Sequence, residues 1–564
     1  MATSFRGLGI VSTYFFGATL ALLMALPAMI SRSRWPLAIV MIIADLLAVA
    51  NLMYCRTYFG PIPPASYLLA GNVAEFGDAI RHSLRWGDIA FPVITLLTLF
   101  GYRFDKKLNR WRPYRMSLIA GIISCVVCAV CYDGVFTHIE KLKAECYYRA
   151  TPPVAYTLPV SIVADLLESN KPISKEEITD ARQWLKDTKK YHKAVAADTI
   201  YQRRYQPDNL VMILVESLES WPIGKKIEGK EITPNINRFL SDTASTWIAR
   251  RVLSQVGPGR SIDGQLLMTT GLMPMADYVY SMRFPDRTYP HLAQALKQTR
   301  GMKSYLLSGD RATTWNQGAM VMPFEIDEAH FRDFWDASES FGHPRNPSDG
   351  SFLRQVATKM KDGHIWPTGE KSLVEVITYS SHFPFTIPEE HRKIKLNGSY
   401  PEPLADYITA INYTDSALGE FIDYLRSRQD SDKTMIVIVG DHEALATWRD
   451  PIRNADKQLA DLVDADSFVP MIVLNSPIVE QRADVMGQVD VYSTIIDLMG
   501  LKGNPNVFCG LGISAFSSNS PKFAYDLNGR LVGDTVAASA ELIEHVASAA
   551  KTSSTIIRAD LLQQ

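Results

Sequence analysis

Cysteine is scarce in this chain: there are six in 564 residues, and four of them, Cys55, Cys125, Cys128 and Cys131, fall inside apolar segments. Only Cys146 and Cys509 remain for the more polar part, which excludes a disulfide framework. The series Cys125-x-x-Cys128-x-x-Cys131 has metal-like spacing but no fourth ligand, and its lipid-length apolar surroundings read as membrane packing. An excess of one charge is also missing. With 58 Lys+Arg against 60 Asp+Glu, net charge gives no support to a nucleic-acid partner. No Gly-x-Ser-x-Gly elbow occurs, which argues against an α/β-hydrolase nucleophile. A length of 564 residues excludes one ordinary domain.

What the first part of the chain does have is apolar length. Gly7–Ile30 is uncharged and long enough to cross a bilayer, and further apolar segments follow at once, unlike a cleavable signal peptide. Trp35–Cys55, Ile89–Tyr102 (extended back to near Leu84) and Met116–Phe136 complete four expected spans. The link Arg103–Arg115 holds six basic residues against one acid and is expected in the cytoplasm, with Ser31–Pro36 on the same side. That arrangement makes the chain a multi-pass protein of the cytoplasmic membrane. Its large C-terminal part then lies outside the cytoplasm, in the periplasm if the organism is Gram-negative. Asp45 inside a span is either a substrate or ion contact or a helix–helix hydrogen bond. The outward loop Arg56–Arg85 is stiffened near its start by Gly60-Pro61-Ile62-Pro63-Pro64. Thr137–Tyr205 reads as a helical tether with a capping box, Ser174-x-x-Glu177. The expected domains are an anchor over 1–136, the tether over 137–205 and a catalytic domain over 206–564.

From Gln206 onward, short apolar strands alternate with amphipathic helices, the pattern of a mainly parallel sheet flanked by helices. Asn209–Glu216, Met302–Leu307, Ser372–Tyr379, Thr434–Val439 and Phe468–Leu474 read as strands. Ile236–Ser241 and Asp490–Leu498 read as helices. Several strands finish on acids or histidines: Glu216, then Asp310, His382 and Asp441-His442. Polar residues gathered at strand ends mark the rim where open α/β sheets bind ligands.

Glu216, Asp441 and His442 supply two carboxylates and an imidazole, a set suited to one divalent cation. Mn²⁺ is the expected metal, with Mg²⁺ and Zn²⁺ as alternatives, and soft thiolate metals are disfavoured. Ser261, in GPGRSIDG, offers a hydroxyl that a metal can activate, and Arg260 beside it offers charge to a phosphoryl group. Read alone, Ser261 is equally a plain turn serine. His382 in SSHFPF suits a general acid or a phosphate contact. Asp310, Arg311, Trp315 and Asn316 in GDRATTWN suit a polyol or head-group pocket, although a core tryptophan and a satisfied loop aspartate fit the same loop. Glu219, one turn beyond Glu216, reads as a bystander.

In that order, NLVMILVESLES, ITPNINRFL, QVGPGRSIDGQ, GDRATTWN, SSHFPF and VGDHEA resemble the lipoteichoic-acid-synthase-like phosphoglycerol transferases of the alkaline phosphatase and sulfatase superfamily. The resemblance covers the whole chain, since that family also sets a multi-span anchor before an extracytoplasmic catalytic domain. It implies that Glu216, Ser261, Asp441 and His442 hold the metal, with Ser261 where the family has a threonine nucleophile. It also implies that Asp310, Trp315 and His382 touch the head group. Serine for threonine keeps the hydroxyl. Ser308 and Gln317 depart from the His and Arg of Gram-positive members. Four spans put a short N-terminus outside the cytoplasm; either that is real, or, as the family's usual five spans favour, a further helix precedes the first. A formylglycine sulfatase is disfavoured, because Pro258 and Arg260 fit its motif but Val256 stands at the nucleophile. The single acid after the first strand also disfavours a two-metal phosphatase.

The expected activity is therefore metal-dependent transfer of phosphoglycerol from phosphatidylglycerol to an envelope glycan or glycolipid, through a phospho-serine intermediate. The alternatives are a phosphoethanolamine transferase, or a hydrolase of a phosphodiester or sulfate ester. A non-catalytic envelope protein that binds glycan or lipid would be expected to have a broken metal set.

Overall fold

The computed structural model describes residues 35–58, 62, 84–104, 172–192, 207–241, 245–276, 278–341 and 346–563, in two compact units. The first unit holds α1 (Trp35–Tyr58) and α2 (Ala90–Phe104), which pack on each other. Within α1, Trp35–Met53 is the one stretch among the described residues long and apolar enough to cross a membrane, and Trp86–Phe100 is a shorter apolar segment. Asp45 lies half-buried on α1. The expected spans Gly7–Ile30 and Met116–Phe136 lie outside the described residues. So do most of Arg56–Arg85, Arg103–Arg115 beyond Phe104, Cys125, Cys128, Cys131 and Cys146.

The described residues of the second unit lie within Ile173–Gln564. It opens with α3 (Lys175–Tyr191), and its capping box is present: Glu177 N donates to Ser174 Oγ (3.1 Å) and Ser174 N to Glu177 Oε2 (2.8 Å). Nine strands then build one sheet. They are β1 (Asn209–Val215), β2 (Thr246–Leu253), β3 (Lys303–Ser308), β4 (Glu328–His330), β5 (Ser372–Ile377), β6 (Thr434–Gly440), β7 (Phe468–Leu474), β8 (Glu480–Arg482) and β9 (Met486–Gly487). The order is β8-β2-β7-β6-β1-β5-β3-β4, with β9 also on β2. Only β7 is reversed, running antiparallel to β2 and β6; every other pairing in this sheet is parallel. Burial explains why the central strands are continuous apolar runs. All residues of β1, β6 and β7 are buried, because helices cover both faces.

The predicted strands match within two residues at each end, and Asp490–Leu498 is helical from Val489. Strand β2 was not expected. Its pairing with β7 shifts register between Ala249 and Val252, so Arg250 and Arg251 turn outward and interrupt the apolar pattern. Helix α4 (Ser261–Thr270) was not expected either; GPGRSIDG reads as a turn, yet Ser261 is the first residue of a helix. The other helices used below are α5 (Leu404–Ser427) and α6 (Ala540–Arg558). Strands β6, β1, β5 and β3 are adjacent and parallel, and Asp441, Glu216, His382 and Asp310 all follow their C-terminal ends. The topology thus brings these four residues to one rim.

Candidate metal and nucleophile site

Glu216, the residue after β1, is 2 % exposed, and Asp441, the residue after β6, is 1 % exposed. Their ligand atoms and one from buried His442 all lie within 4.8 Å of one another. His442 Nε2 stands 3.3 Å from Glu216 Oε1 and 3.7 Å from Asp441 Oδ2. Ser261 Oγ completes the group, donating to Glu216 Oε2 at 3.0 Å and lying 3.2 Å from His442 Nε2. Glu216, Asp441 and His442 are buried while Ser261 is half-exposed, so the hydroxyl is the member of the cluster open to solvent.

Local hydrogen bonds set each member. Asp441 Oδ1 accepts from Ser217 N and from His442 N, both at 2.7 Å. His442 Nδ1 lies 2.8 Å from the Glu443 carbonyl, which puts the ring proton on Nδ1 and leaves the Nε2 lone pair for the site. Ser381 Oγ donates to the Glu216 carbonyl (2.6 Å) and Glu216 N to Thr378 Oγ1 (3.0 Å), tying the β1 and β5 ends together. Ser261 is held by its own helix: Asp263 Oδ2 accepts from Gly257 N and Gly259 N, both at 2.9 Å. A Cβ on Gly259 would stand 2.4 Å from Asp263 Oδ1, so the clamp needs glycine there. Arg260 follows at φ +47°, a left-handed conformation rare for a bulky residue, and swings Ser261 to the positive end of α4.

The residues fit a divalent cation. Asp441 Oδ2 is buried with no hydrogen-bond partner among the described residues, and two carboxylates face each other across a few ångströms. The electrostatics agree. Burial and then the Glu216 charge push the Asp441 carboxyl up. Burial pulls His442 down most, but the Asp441 and Glu216 carboxylates together hold the ring above its ordinary value. A cation would relieve the repulsion between the Glu216 and Asp441 carboxylates.

Arg260 does not point at open space. Its Nη1 pairs with Glu443 Oε1 at 2.5 Å, and Nη2 donates to the Glu443 carbonyl (2.6 Å) beside His442 Nδ1 (3.2 Å). Ser254 Oγ holds the other Glu443 oxygen at 2.5 Å. Asn316 spends its side-chain nitrogen on the Ser281 carbonyl at 2.7 Å. Asp310 accepts from Arg311 N (2.7 Å) and from Asn346 Nδ2 (3.0 Å). Trp315, half-buried at φ +50°, sits in the same loop, and strain of this kind collects at functional sites. His382 stacks on Tyr379 at 5.1 Å, and its Nδ1 lies 2.6 Å from the Phe383 carbonyl. His382 follows β5, the strand between β1 and β3, whose C-terminal ends carry Glu216 and Asp310. Sequence reasoning missed Asn346, Asp263 and Glu443. None of the three left a signal, since the helix that carries Asp263 was itself not expected.

Residues 208–501, more than half of the chain, match the family described as Sulfatase. The lipoteichoic acid synthase of Staphylococcus saprophyticus is 24 % identical over 484 residues, covering 83 % of this chain and 73 % of that protein. That of Staphylococcus aureus strain USA300 is 24 % identical over 487 residues with the same coverage. Among solved structures, the lipoteichoic acid synthase LtaP from Listeria monocytogenes superposes with a TM-score of 0.57 at 19 % identity. That match covers 66 % of this chain and 98 % of the other. This likeness carries the fold, which is alkaline phosphatase-like.

Proposed function

The chain belongs to the sulfatase family, and on that premise we propose that it is a membrane-anchored phosphotransferase of the cell envelope. It moves a phosphoglycerol group from phosphatidylglycerol to a glycan or glycolipid hydroxyl. The carrying observation is the convergence of Ser261 Oγ on Glu216 and His442 within 3.0 and 3.2 Å, beside an orphaned Asp441 oxygen. The curated relatives named lipoteichoic acid synthase support the same reading. Val256, where a sulfatase nucleophile would stand, speaks against sulfate-ester chemistry.

Ser261 is the nucleophile, and Glu216, Asp441, His442 and Ser261 are the residues that would hold one divalent cation, Mn²⁺ in this reading. That cation would lower the pKa of the hydroxyl and offset phosphoryl charge. Ser261 Oγ bonds to phosphorus as the P–O bond to diacylglycerol breaks. The proton lost by Ser261 goes to solvent, and His382 supplies one to the departing diacylglycerol oxygen. In the second half the acceptor hydroxyl gives its proton to His382 and attacks phosphorus. The phosphoserine bond breaks, and Ser261 regains a proton from solvent. Asp310 and Trp315 bind the glycerol, and the α4 N-terminus favours the anionic group. Arg260 acts through His442, since Glu443 holds its guanidinium.

The test is diacylglycerol release from phosphatidylglycerol vesicles by the purified full chain with Mn²⁺, followed by mass analysis of the Ser261 peptide. The expected outcome is release with a phosphoglycerol adduct on Ser261, and in Ser261→Ala a rate lower by at least about a thousandfold. Undiminished release by Ser261→Ala would sink the covalent step. Release from phosphatidylethanolamine alone would move the reading to phosphoethanolamine transfer.

A further inference from the structure

Glu219, which the sequence marks as a bystander, is 0 % exposed and carries more contacts than a bystander needs. Its Oε1 accepts from Ala444 N (2.7 Å), Leu445 N (2.8 Å) and Arg449 Nη2 (2.7 Å). Two successive backbone N–H groups on one oxygen form an anion nest, and this nest is the loop that leaves the site directly after Asp441 and His442. Glu219 itself lies three residues after Glu216. The bond from 219 to 444–449 therefore clamps together the two segments that carry Glu216, Asp441 and His442.

Two more contacts brace the clamp. The Tyr407 hydroxyl, from α5, donates to the Ser217 carbonyl (2.9 Å) and accepts from Glu219 N (3.1 Å). Arg449, 4 % exposed, uses Nη1 on the Asp464 carbonyl (3.0 Å), so its guanidinium is fixed from a second side. Burying an ion pair carries a large desolvation cost, and replacing it with apolar residues is often neutral for stability. Stability alone is thus a weak reason for this pair. Geometry is a stronger one, because a metal site needs its ligands held to within about half an ångström.

We infer that Glu219 is a positioning residue, with Arg449 as its counter-ion, that fixes the distance between Glu216 and the Asp441–His442 pair. The inference rests on the metal reading of the site. It is tested on the full chain in detergent by calorimetric titration of Mn²⁺, by the metal-free melting temperature, and by kcat and KM for diacylglycerol release. Glu219→Gln should weaken Mn²⁺ binding by about ten- to a hundredfold and lower kcat at little change in KM. Because Glu219→Gln strands Arg449 without its partner, the double variant Glu219→Met with Arg449→Leu provides a second, folded comparison. It should melt near the wild type without metal and still lose the Mn²⁺ affinity. A folded double variant with wild-type Mn²⁺ affinity and kcat overturns the inference. A wild-type chain that binds no Mn²⁺, Mg²⁺ or Zn²⁺ overturns the metal reading itself, and the strut with it.

Discussion

Glu375 sits at the middle of β5 with 0 % exposure, and its neighbours are His291 Nε2 at 3.2 Å and Gln265 Nε2 at 3.3 Å. His291 Nδ1 accepts from Ala293 N, so the ring proton lies on Nε2, toward Glu375. Burial pushes the Glu375 carboxyl up to about 8, with the Gln265 amide offsetting little, and burial pulls His291 down to about 3. An unfolded glutamate titrates near about 4.3. A folded value above the unfolded one means the stabilising contribution is full below about 4.3 and is lost as pH rises towards 8. Glu375→Gln has no such proton to lose. Measured by urea unfolding at pH 5, 7 and 9, its stability relative to wild type should rise with pH. The slope should not exceed about 1.4 kcal/mol per pH unit and should level off above about pH 8. A difference independent of pH would show that Glu375 is ionised throughout. Gln265 also accepts from Gln317 Nε2 (2.9 Å), so this buried network reaches the Trp315–Gln317 loop from below α4.

Helix α4 lies close against the end of β6. A Cβ on Gly264 would stand 2.4 Å from the Asp441 carbonyl oxygen, which cannot rotate away. Gly264→Ala must therefore push α4 off the strand that presents Asp441 and His442, at a cost of about 1–3 kcal/mol for overpacking. It should also lengthen the Ser261–His442 contact and cut diacylglycerol release at least about tenfold. A variant with wild-type melting temperature and rate would show that α4 can slide without consequence. The same helix shows where sequence reading stops. β1, β6 and β7 were legible because strands buried on both faces are continuous apolar runs. α4 was not, because its first residue follows Gly-Pro-Gly-Arg and its fourth is glycine, features of a turn. Glu216, Asp441 and His442 stood out as polar residues at strand ends. Glu219 and Glu443 did not, because Glu219 binds backbone N–H groups and a guanidinium more than 220 residues away, and Glu443 binds Arg260 and Ser254 more than 180 away. Such partners are set by the sheet order, which one sequence does not reveal.

Across the whole second unit, the chain before the sheet braces the α4 end of the candidate site from a distance. Trp184 of α3 stacks on His545 of α6 at 4.0 Å, and its Nε1 reaches Ser548 Oγ at 3.0 Å. Thr188 Oγ1 meets His545 Nε2 at 3.0 Å, and Lys190 pairs with Glu541 at the surface. Helix α6 in turn holds Met273, three residues beyond α4: Ser553 Oγ donates to the Met273 carbonyl (2.7 Å) and accepts from Met273 N (2.9 Å). The residues over 175–191, read from sequence as part of a tether, are thus packed into the unit that carries the site. Trp184→Ala removes the stack and the hydrogen bond. Because Trp184 is only half-buried, the loss should be about 2 kcal/mol, below the range for a fully buried aromatic. The melting temperature should fall by a few degrees, and hydrogen exchange should quicken first in α6 and around Met273, while Mn²⁺ affinity changes little. Exchange confined to α3, with α6 as protected as in wild type, would show that α3 rests on the unit without bracing it.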